Sequence, residues 1–539
     1  MKTYKIIAFS LLFGSLANAQ TLEDAIKKTD NERYAAARTV FNALIAKEPT
    51  KADNYFYFGE NYFKNDELDS ANLMWQKGHS LDALNALNIV GLGKYYWYKG
   101  DTIKGRIEFI KAETLTKRKN AEVLRRTAEV FTYAPIKRLD EAIRLLDLAV
   151  KLDAKNPESY LILGDALLEK TPTNGSPAIE KYNLALNLNP KSSKSIVRTA
   201  KLYQRARNYQ LADSIYKVAI KIDQTYAPAY RENAELNMMF NQSSKAIENW
   251  KKYLELNNSI EARYRYATSL FSGKKYCEAV TELSDLQKNG FNNFYVQRML
   301  TYSYAECPGD DTKAGFEKGL TASDNFFKLV PTEKIIGLDY KYKGTLLSKS
   351  GKDSLAIAQY ELAATKDTAI AKDMYSEIAK IYSKAKKYNE VIATYNKKMN
   401  GNPNNISPQE YYDFGKAYYF GPKNYAMADT CFRRLSEKIP NYALAYCWLA
   451  RCKYKFETPT TKWLAKDNYK KYLEMLKPEE IGNSMNKTFS IEAAKYMGDY
   501  YINSKEYNKV ESQKYWNIVK TLDPADKQAA AFFASPHGK

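Results

Sequence analysis

Tyr55-Phe56-Tyr57-Phe58-Gly59-Glu60-Asn61-Tyr62, then Lys64-Asn65-Asp66, then Ala71, Trp75 and Gly78, read in order as two short helices joined by a turn. The apolar residues of the first part follow helical spacing, and Lys64-Asn65-Asp66 carries turn chemistry. Ala71, Trp75 and Gly78 fall one turn apart on the second helix. Such a hairpin cannot bury its apolar face alone, so it needs neighbours of the same kind. They are present: Tyr160, Leu163, Gly164 and Leu167 lead to Ala178, Tyr182, Ala185 and Pro190, and Ala200 with Tyr203 leads to Ala212, Tyr216 and Ala219. Later copies run from Gly344 to Ala356, Tyr360 and Ala363, from Gly415 and Tyr418 to Phe432 and Pro440, and from Gly498 and Tyr501 to Trp516 and Pro524.

This grid, W-x2-L-G-x2-Y followed by A-x3-F-x2-A and a proline, resembles the tetratricopeptide repeat (TPR) signature. About fourteen units fit between residue 20 and residue 530. The fold class expected is therefore all-α, a TPR-type α–α superhelical solenoid of about fourteen helix hairpins, right-handed as the resemblance implies. Glycine or alanine stands where helices approach closely, aromatics fill gaps between hairpins, and proline or asparagine stops each second helix.

With 539 residues, 45% hydrophobic and 27% charged, the chain exceeds what one core supports, which agrees with an array growing in one dimension. Only two histidines occur, His79 and His537, which removes most routes to zinc, non-haem iron or histidine acid–base chemistry. No H-E-x-x-H, G-x-S-x-G, G-x4-G-K-[ST] or EF-hand pattern is present, no cofactor is called for, and an enzyme is not expected. Gly91-Leu92-Gly93-Lys94 lies within a helix of the grid, where packing explains it. The 45 tyrosines, against 22 phenylalanines, mostly take repeat core positions such as Tyr62, Tyr203, Tyr216 and Tyr360, where ring burial with a wet hydroxyl suffices.

Residues 1–19 read as a secretory signal peptide: Lys2 and Lys5, an apolar stretch from Ile6 to Leu16, then Ala17-Asn18-Ala19 as the cleavage site. The expected location is the periplasm, with an extracellular one as the alternative. No later stretch is long and apolar enough to span a membrane. The chain carries 82 basic and 62 acidic residues, a net charge of +20, and loses two lysines and no acid with residues 1–19, leaving +18. This balance favours anionic partners, but no nucleic-acid recognition motif appears and nucleic acid is not an expected partner.

The expected blocks are residues 20–293 as an N-terminal TPR block, 294–336 as an irregular repeat, 337–530 as a C-terminal block and 531–539 as a flexible tail. Within the irregular repeat, Cys307-Pro308-Gly309-Asp310-Asp311 delays the second helix, which resumes around Thr321, Phe326 and Leu329. This insertion of about nine residues either divides the array or forms a longer loop on a continuous one. In arrays that resemble this one, the second helix of a unit runs antiparallel to the first helix of the next. That register pairs Cys277 with Cys307 and Cys431 with Cys452, leaving Cys447 free. Alternatively Cys447 takes Cys431, or all five are small buried residues.

Binding surfaces in this family usually lie on the concave side, formed by first-helix positions just off the core. The position after the small residue gives Lys380, Lys416 and Arg451 in three late units, with Lys341 and Lys495 on a nearby face. Such a basic stripe could grip an acidic segment or a chain terminus of a protein partner, or it reflects no more than a lysine-rich surface. The function expected is a non-enzymatic scaffold for protein partners in an outer-membrane assembly, secretion or transport machine. The alternative is an envelope-polymer binder, with peptidoglycan or an anionic glycan as partner.

Overall fold

The computed structural model describes residues 21–484 and 486–539, so the signal peptide expected at residues 1–19 lies outside the described residues. Among the described residues every regular element is helical, and no helix is long and apolar enough to cross a membrane. The chain divides into two compact units, residues 1–292 and Asn293–Lys539.

In unit 1 the hairpins pair α1 (Leu22–Asp30) with α2 (Tyr34–Lys47), α3 (Ala52–Lys64) with α4 (Leu68–Leu81), and α5 (Ala86–Tyr98) with α6 (Thr102–Leu115). Next come α7 (Ala121–Tyr133) with α8 (Leu139–Leu152), α9 (Pro157–Lys170) with α10 (Ser176–Leu188), and α11 (Ser193–Arg205) with α12 (Tyr209–Ile222). The last two are α13 (Ala227–Met239) with α14 (Ser243–Leu256), and α15 (Ile260–Ser272) with α16 (Tyr276–Lys288).

Unit 2 continues with α17 (Phe294–Glu306) against α18 (Thr312–Leu329), α19 (Gly337–Lys349) against α20 (Asp353–Lys366), and α21 (Ala371–Lys384) against α22 (Tyr388–Met399). Then α23 (Pro408–Phe420) packs with α24 (Tyr425–Lys438), and α25 (Ala443–Tyr454) with α26 (Lys466–Met475). After the short α27 (Pro478–Ile481), α28 (Lys487–Asn503) packs with α29 (Lys509–Leu522), and α30 (Lys527–Ala534) closes the chain. Fourteen hairpins result among the described residues, as the repeat grid implies.

Trp75 shows what sets the spacing within and between hairpins. Its ring is fully buried, and its indole N–H donates to the Phe56 carbonyl at 3.2 Å. A Cβ added at Gly59 would stand 2.3 Å from Trp75 Nε1, and one at Gly91 2.4 Å from Trp75 Cγ. Two successive first helices therefore lie flat on one ring from a second helix, and only glycine permits it. First helices also touch their counterparts in the next hairpin, as α1–α3, α3–α5, α5–α7 and α7–α9 do. Within unit 1 this convergence bends the array with the first helices on the inner side. Tyrosine serves the same packing: Tyr55, Tyr160 and Tyr446 bury most of the ring while the hydroxyl donates to the carbonyl of Pro49, Ala154 and Pro440, 2.9–3.2 Å away.

The inner side of unit 1 is charged. Lys94 and Glu60 are 1% and 3% exposed, and Lys94 Nζ lies 2.8 Å from both carboxylate oxygens. Arg126 joins from α7, 3.7 Å from Glu60 and 3.1 Å from Glu129. The turn after α1 reaches the same interior. Asp30 pairs with Lys64 at 2.6 Å and with Lys194 at 3.4 Å, and Glu32 pairs with Arg231 at 2.6 Å. The first hairpin thus touches the sixth and seventh and closes one turn of the array.

Two expectations at irregular positions are corrected. The second helix expected to resume near Thr321 already begins at Thr312, and α18 is 18 residues long. Asp311 caps it by accepting from the Ala314 N–H at 3.0 Å, and Thr312-Lys313-Ala314-Gly315 holds no proline, so most of the insertion is extra helix. Gly315 lets the new turn sit on the loop, since a Cβ there would stand 1.8 Å from the Pro308 carbonyl oxygen. At the other end, α30 runs through Ala534, where a flexible tail was expected from residue 531. Phe532 stacks on Trp516 at 5.4 Å, and Gln513 Nε2 donates to the carbonyls of His537 and Gly538, which ties the tail down. Residues 171–175 and 458–461 lie between helices.

Gly59→Ala should lower stability by about 1–3 kcal/mol, because Trp75 has no room to retreat; urea denaturation with no shift in midpoint would refute this. Lys94→Ala should cost about 3–5 kcal/mol by leaving Glu60 buried without its partner. Burial alone would raise the Asp30 carboxyl, but Lys194 and Lys64 outweigh it and hold the group well below the usual carboxylate range. A depressed carboxyl contributes stability that is complete above its unfolded value and lost as pH falls. Unit 1 should therefore hold at neutral pH and loosen as pH drops below about 4, which circular dichroism across an acid titration would follow.

Candidate functional site

In unit 2 the first helices α19, α21 and α23 line a groove of about 680 Å³, into which Lys341, Thr345, Glu377, Lys380 and Asp413 face. Its floor is a buried ion pair: Lys398 Nζ donates to both oxygens of Glu410 at 2.6 and 2.7 Å and to Ser376 Oγ at 2.7 Å. Ser376 Oγ in turn donates to Glu410 Oε1 at 2.7 Å. Burial would raise Glu410, but the bonds from Lys398, the Ser407 N–H and Ser376 outweigh it and hold the carboxyl below its usual range. Lys398 is thus fully engaged, and the trio fixes the helix start at Ser407 rather than forming a nucleophile and base. Burial pushes the Asp413 carboxyl up, with Gln409 and Lys416 offsetting only part of the effect.

A second groove of about 1110 Å³ lies further along, between α25, α28 and the loop that joins α25 to α26. Aromatic rings dominate one wall. Trp463 meets Tyr496 and Tyr500 edge-on at 5.4 Å, and Tyr454 stands 6.1 Å from Tyr496. The Tyr496 hydroxyl donates to Glu457 and accepts from the Ala465 N–H. Trp463 holds a left-handed backbone at φ 72°, a conformation a bulky residue adopts only when its surroundings fix it. The sequence reading missed this wall. Its signal was a tryptophan in a polar loop, off the helical grid.

Of the five cations of the expected stripe, Lys341 and Lys380 line the first groove and Lys495 the second, while Lys416 and Arg451 line neither, and the five do not form a bare positive row. Lys380 pairs with Glu377 at 2.7 Å, Arg451 is bidentate on Glu492, and Lys495 pairs with Asp526. Arg451 also lies over the rings of Trp448 and Phe489 at 4.8 and 4.5 Å. Lys341 and Lys416 lean over Tyr342 and Tyr412, at 5.7 and 5.1 Å from the ring centres. Three of the five cations are thus matched by carboxylates, and the other two lie over aromatic rings.

No family model matches the chain. Among solved structures, the C-terminal part of a TPR repeat-containing protein from Cytophaga hutchinsonii is 30% identical, and the match covers 50% of this chain and 98% of that one, with a TM-score of 0.42. The chain belongs to the TPR repeat proteins. A tetratricopeptide repeat protein from Parabacteroides merdae matches 47% of this chain and 98% of its own length at 16% identity and a TM-score of 0.33. Pseudomonas aeruginosa pilF matches 40% of this chain and 95% of its own at 21% identity and a TM-score of 0.28.

The TPR register brings Cys431 and Cys452 within electrostatic reach of each other, yet both are free thiols, as is Cys447. The expected Cys431–Cys452 disulfide is therefore corrected. All three sit in one apolar cluster with Phe432, Trp448 and Tyr472, acting as small core residues. Cys277 and Cys307 are not among the free thiols. Burial pushes the thiols of Cys431 and Cys452 up to about 12, and Cys447 is raised by the same cause. None of the three should react with a thiol reagent at about pH 8 in the folded TPR protein, and all three should after unfolding; rapid native-state reaction would contradict this burial.

Proposed function

We propose that this TPR protein is a non-enzymatic scaffold that holds a protein partner along the inner face of unit 2, exported to the periplasm by residues 1–19 and acting in an outer-membrane assembly, secretion or transport machine. One observation carries the binding part of this reading. Successive first helices of unit 2 present two grooves with mixed charge and aromatic walls, the arrangement by which repeat arrays take extended segments. Lys380, Arg451 and Lys495 are already matched by acids, so a uniform polyanion gains less here than a protein segment bearing both signs. The export part rests on the N-terminal residues alone. The Cys277–Cys307 pairing implied by the repeat register belongs to the same reading, since an oxidising compartment favours it.

Crosslinked capture from the source envelope fraction is the direct test. A Lys341/Lys380/Lys416→Glu variant should lose a discrete protein that the wild type retains, while Arg451 and Lys495 stay in place to preserve their ion pairs. An unchanged partner set, or retention of cell-wall polymer alone with steep salt dependence, would overturn the groove assignment. Non-reducing peptide mapping of the exported protein should recover Cys277 joined to Cys307; both peptides recovered with free thiols would refute that pairing.

A further inference from the structure

We infer that the outer face of α6 in unit 1 docks the protein on the surface of an anionic phospholipid bilayer. Ile103, Ile107 and Ile110 enter the acyl boundary, and the lysines around them meet phosphate headgroups. This goes beyond the unit 2 reading and is independent of it.

Helix α6 is apolar on both sides. Gly105, Phe109 and Ala112 are buried in the core, while Ile103, Ile107 and Ile110 point the other way and are 75%, 57% and 49% exposed. Each isoleucine stands two residues before one of those core positions. The repeat does not call for apolar residues there. On α8, the residues two before the buried Ala142, Leu146 and Ala149 are Asp140, Arg144 and Asp147; on α12, those two before Ala212, Tyr216 and Ala219 are Gln210, Ser214 and Lys217. All six are exposed and polar. On α4, Leu73 stands two before the buried Trp75 and is 60% exposed, so the preceding hairpin shares the departure at the place of Ile107.

The surround is basic. Residues 99–119 hold seven basic and three acidic residues, and one of those acids, Glu113, is buried. By helical spacing Lys104 and Lys111 flank the isoleucines on one side and Arg106 on the other. Lys104 lies 3.1 Å from Asp101 and Lys111 3.8 Å from Glu108, but both lysines stay exposed, and surface pairs of this kind hold a cation weakly. Where α6 ends, Lys117-Arg118-Lys119 forms a turn with left-handed backbone at Lys117 and Arg118. Arg118 pairs with Glu113 at 3.0 Å, whereas Lys117 and Lys119 pair with no acid among the described residues.

This composition selects the occupant. The cores of protein–protein interfaces are rich in aromatic rings, methionine and arginine and poor in lysine. Here the exposed apolar groups are aliphatic, and lysine supplies most of the charge. Isoleucines this far exposed project from the helix, so they can enter a lipid layer. Lysine stems lie along the acyl boundary while their ammonium groups reach the phosphates. The array already holds α6 by its opposite face, so docking has no helix to order.

The test is co-sedimentation of the chain from Gln20 onward with vesicles. Wild type should bind vesicles of mixed phosphatidylglycerol and phosphatidylcholine and not those of phosphatidylcholine alone, and binding should weaken as salt rises. Ile103→Gln/Ile107→Gln/Ile110→Gln should lower it about tenfold, and Lys117→Gln/Lys119→Gln should weaken it and flatten its salt dependence. Leu355→Gln removes a side chain as exposed as Ile107 but on α20, and should leave binding unchanged. No binding by wild type, equal binding to both vesicles, or binding that survives the isoleucine variant overturns the inference. Self-association that the isoleucine variant loses, with no vesicle binding, would assign the face to a second copy and overturn the lipid reading. If the isoleucine variant does not fold, anionic vesicles should slow hydrogen exchange of wild type at Thr102–Leu115, and unchanged exchange there overturns it.

Discussion

The contact on which the structure depends is a ring from a second helix lying against a position on a first helix that has no side chain. Trp75 between Gly59 and Gly91, Tyr182 on Gly164 and Trp516 on Gly498 are the same contact at intervals along the chain. It sets how close two helices come, and so how far each hairpin is rotated from the last. Because the small residues sit on the first helices, these converge and the second helices splay. In unit 1 first-helix side chains therefore supply much of the inner side, and what they carry becomes its inner surface.

In unit 1 they carry charge, and convergence forces opposite signs into contact. Glu60, Lys94, Arg126 and Glu129 come from three successive first helices and satisfy one another away from water. Such pairs return little net stability against a well-packed apolar core, but breaking one is costly, so they fix the geometry of the turn more than they strengthen it. The Asp30–Glu32 turn completes the set by answering cations presented more than 160 residues later. Unit 2 uses the same inner positions differently. There the ion pairs lie in the walls and floor of two open grooves, and aromatic residues from an interhelical loop extend one of them.

The hairpins, their phase and their number were legible in the sequence because small and aromatic residues recur within one helix or one hairpin, where spacing alone reports contact. The extension of α18 was misread because its apolar positions after Thr321 fit the grid, while the Asp311 cap that starts the helix earlier is a weaker signal. Two acids that pair with the expected basic stripe, Glu492 and Asp526, lie 41 and 31 residues from their partners, on later helices that local spacing does not report. Cys431, Cys447 and Cys452 lie in one apolar cluster as free thiols, and nearness within such a cluster does not make a bond. Closure of unit 1 was invisible for a different reason: it depends on the accumulated rotation of six hairpins, which no local pattern encodes.

That closure is tested most directly by zero-length carbodiimide crosslinking of the native mature protein at low concentration, followed by peptide mass spectrometry. Asp30 and Lys194 are paired in the folded chain, so an intramolecular crosslinked peptide joining them is expected. It should vanish when the protein is unfolded before crosslinking. Crosslinks confined to neighbouring hairpins, such as Asp30 to Lys64, with none from the first hairpin to the sixth, would contradict the account.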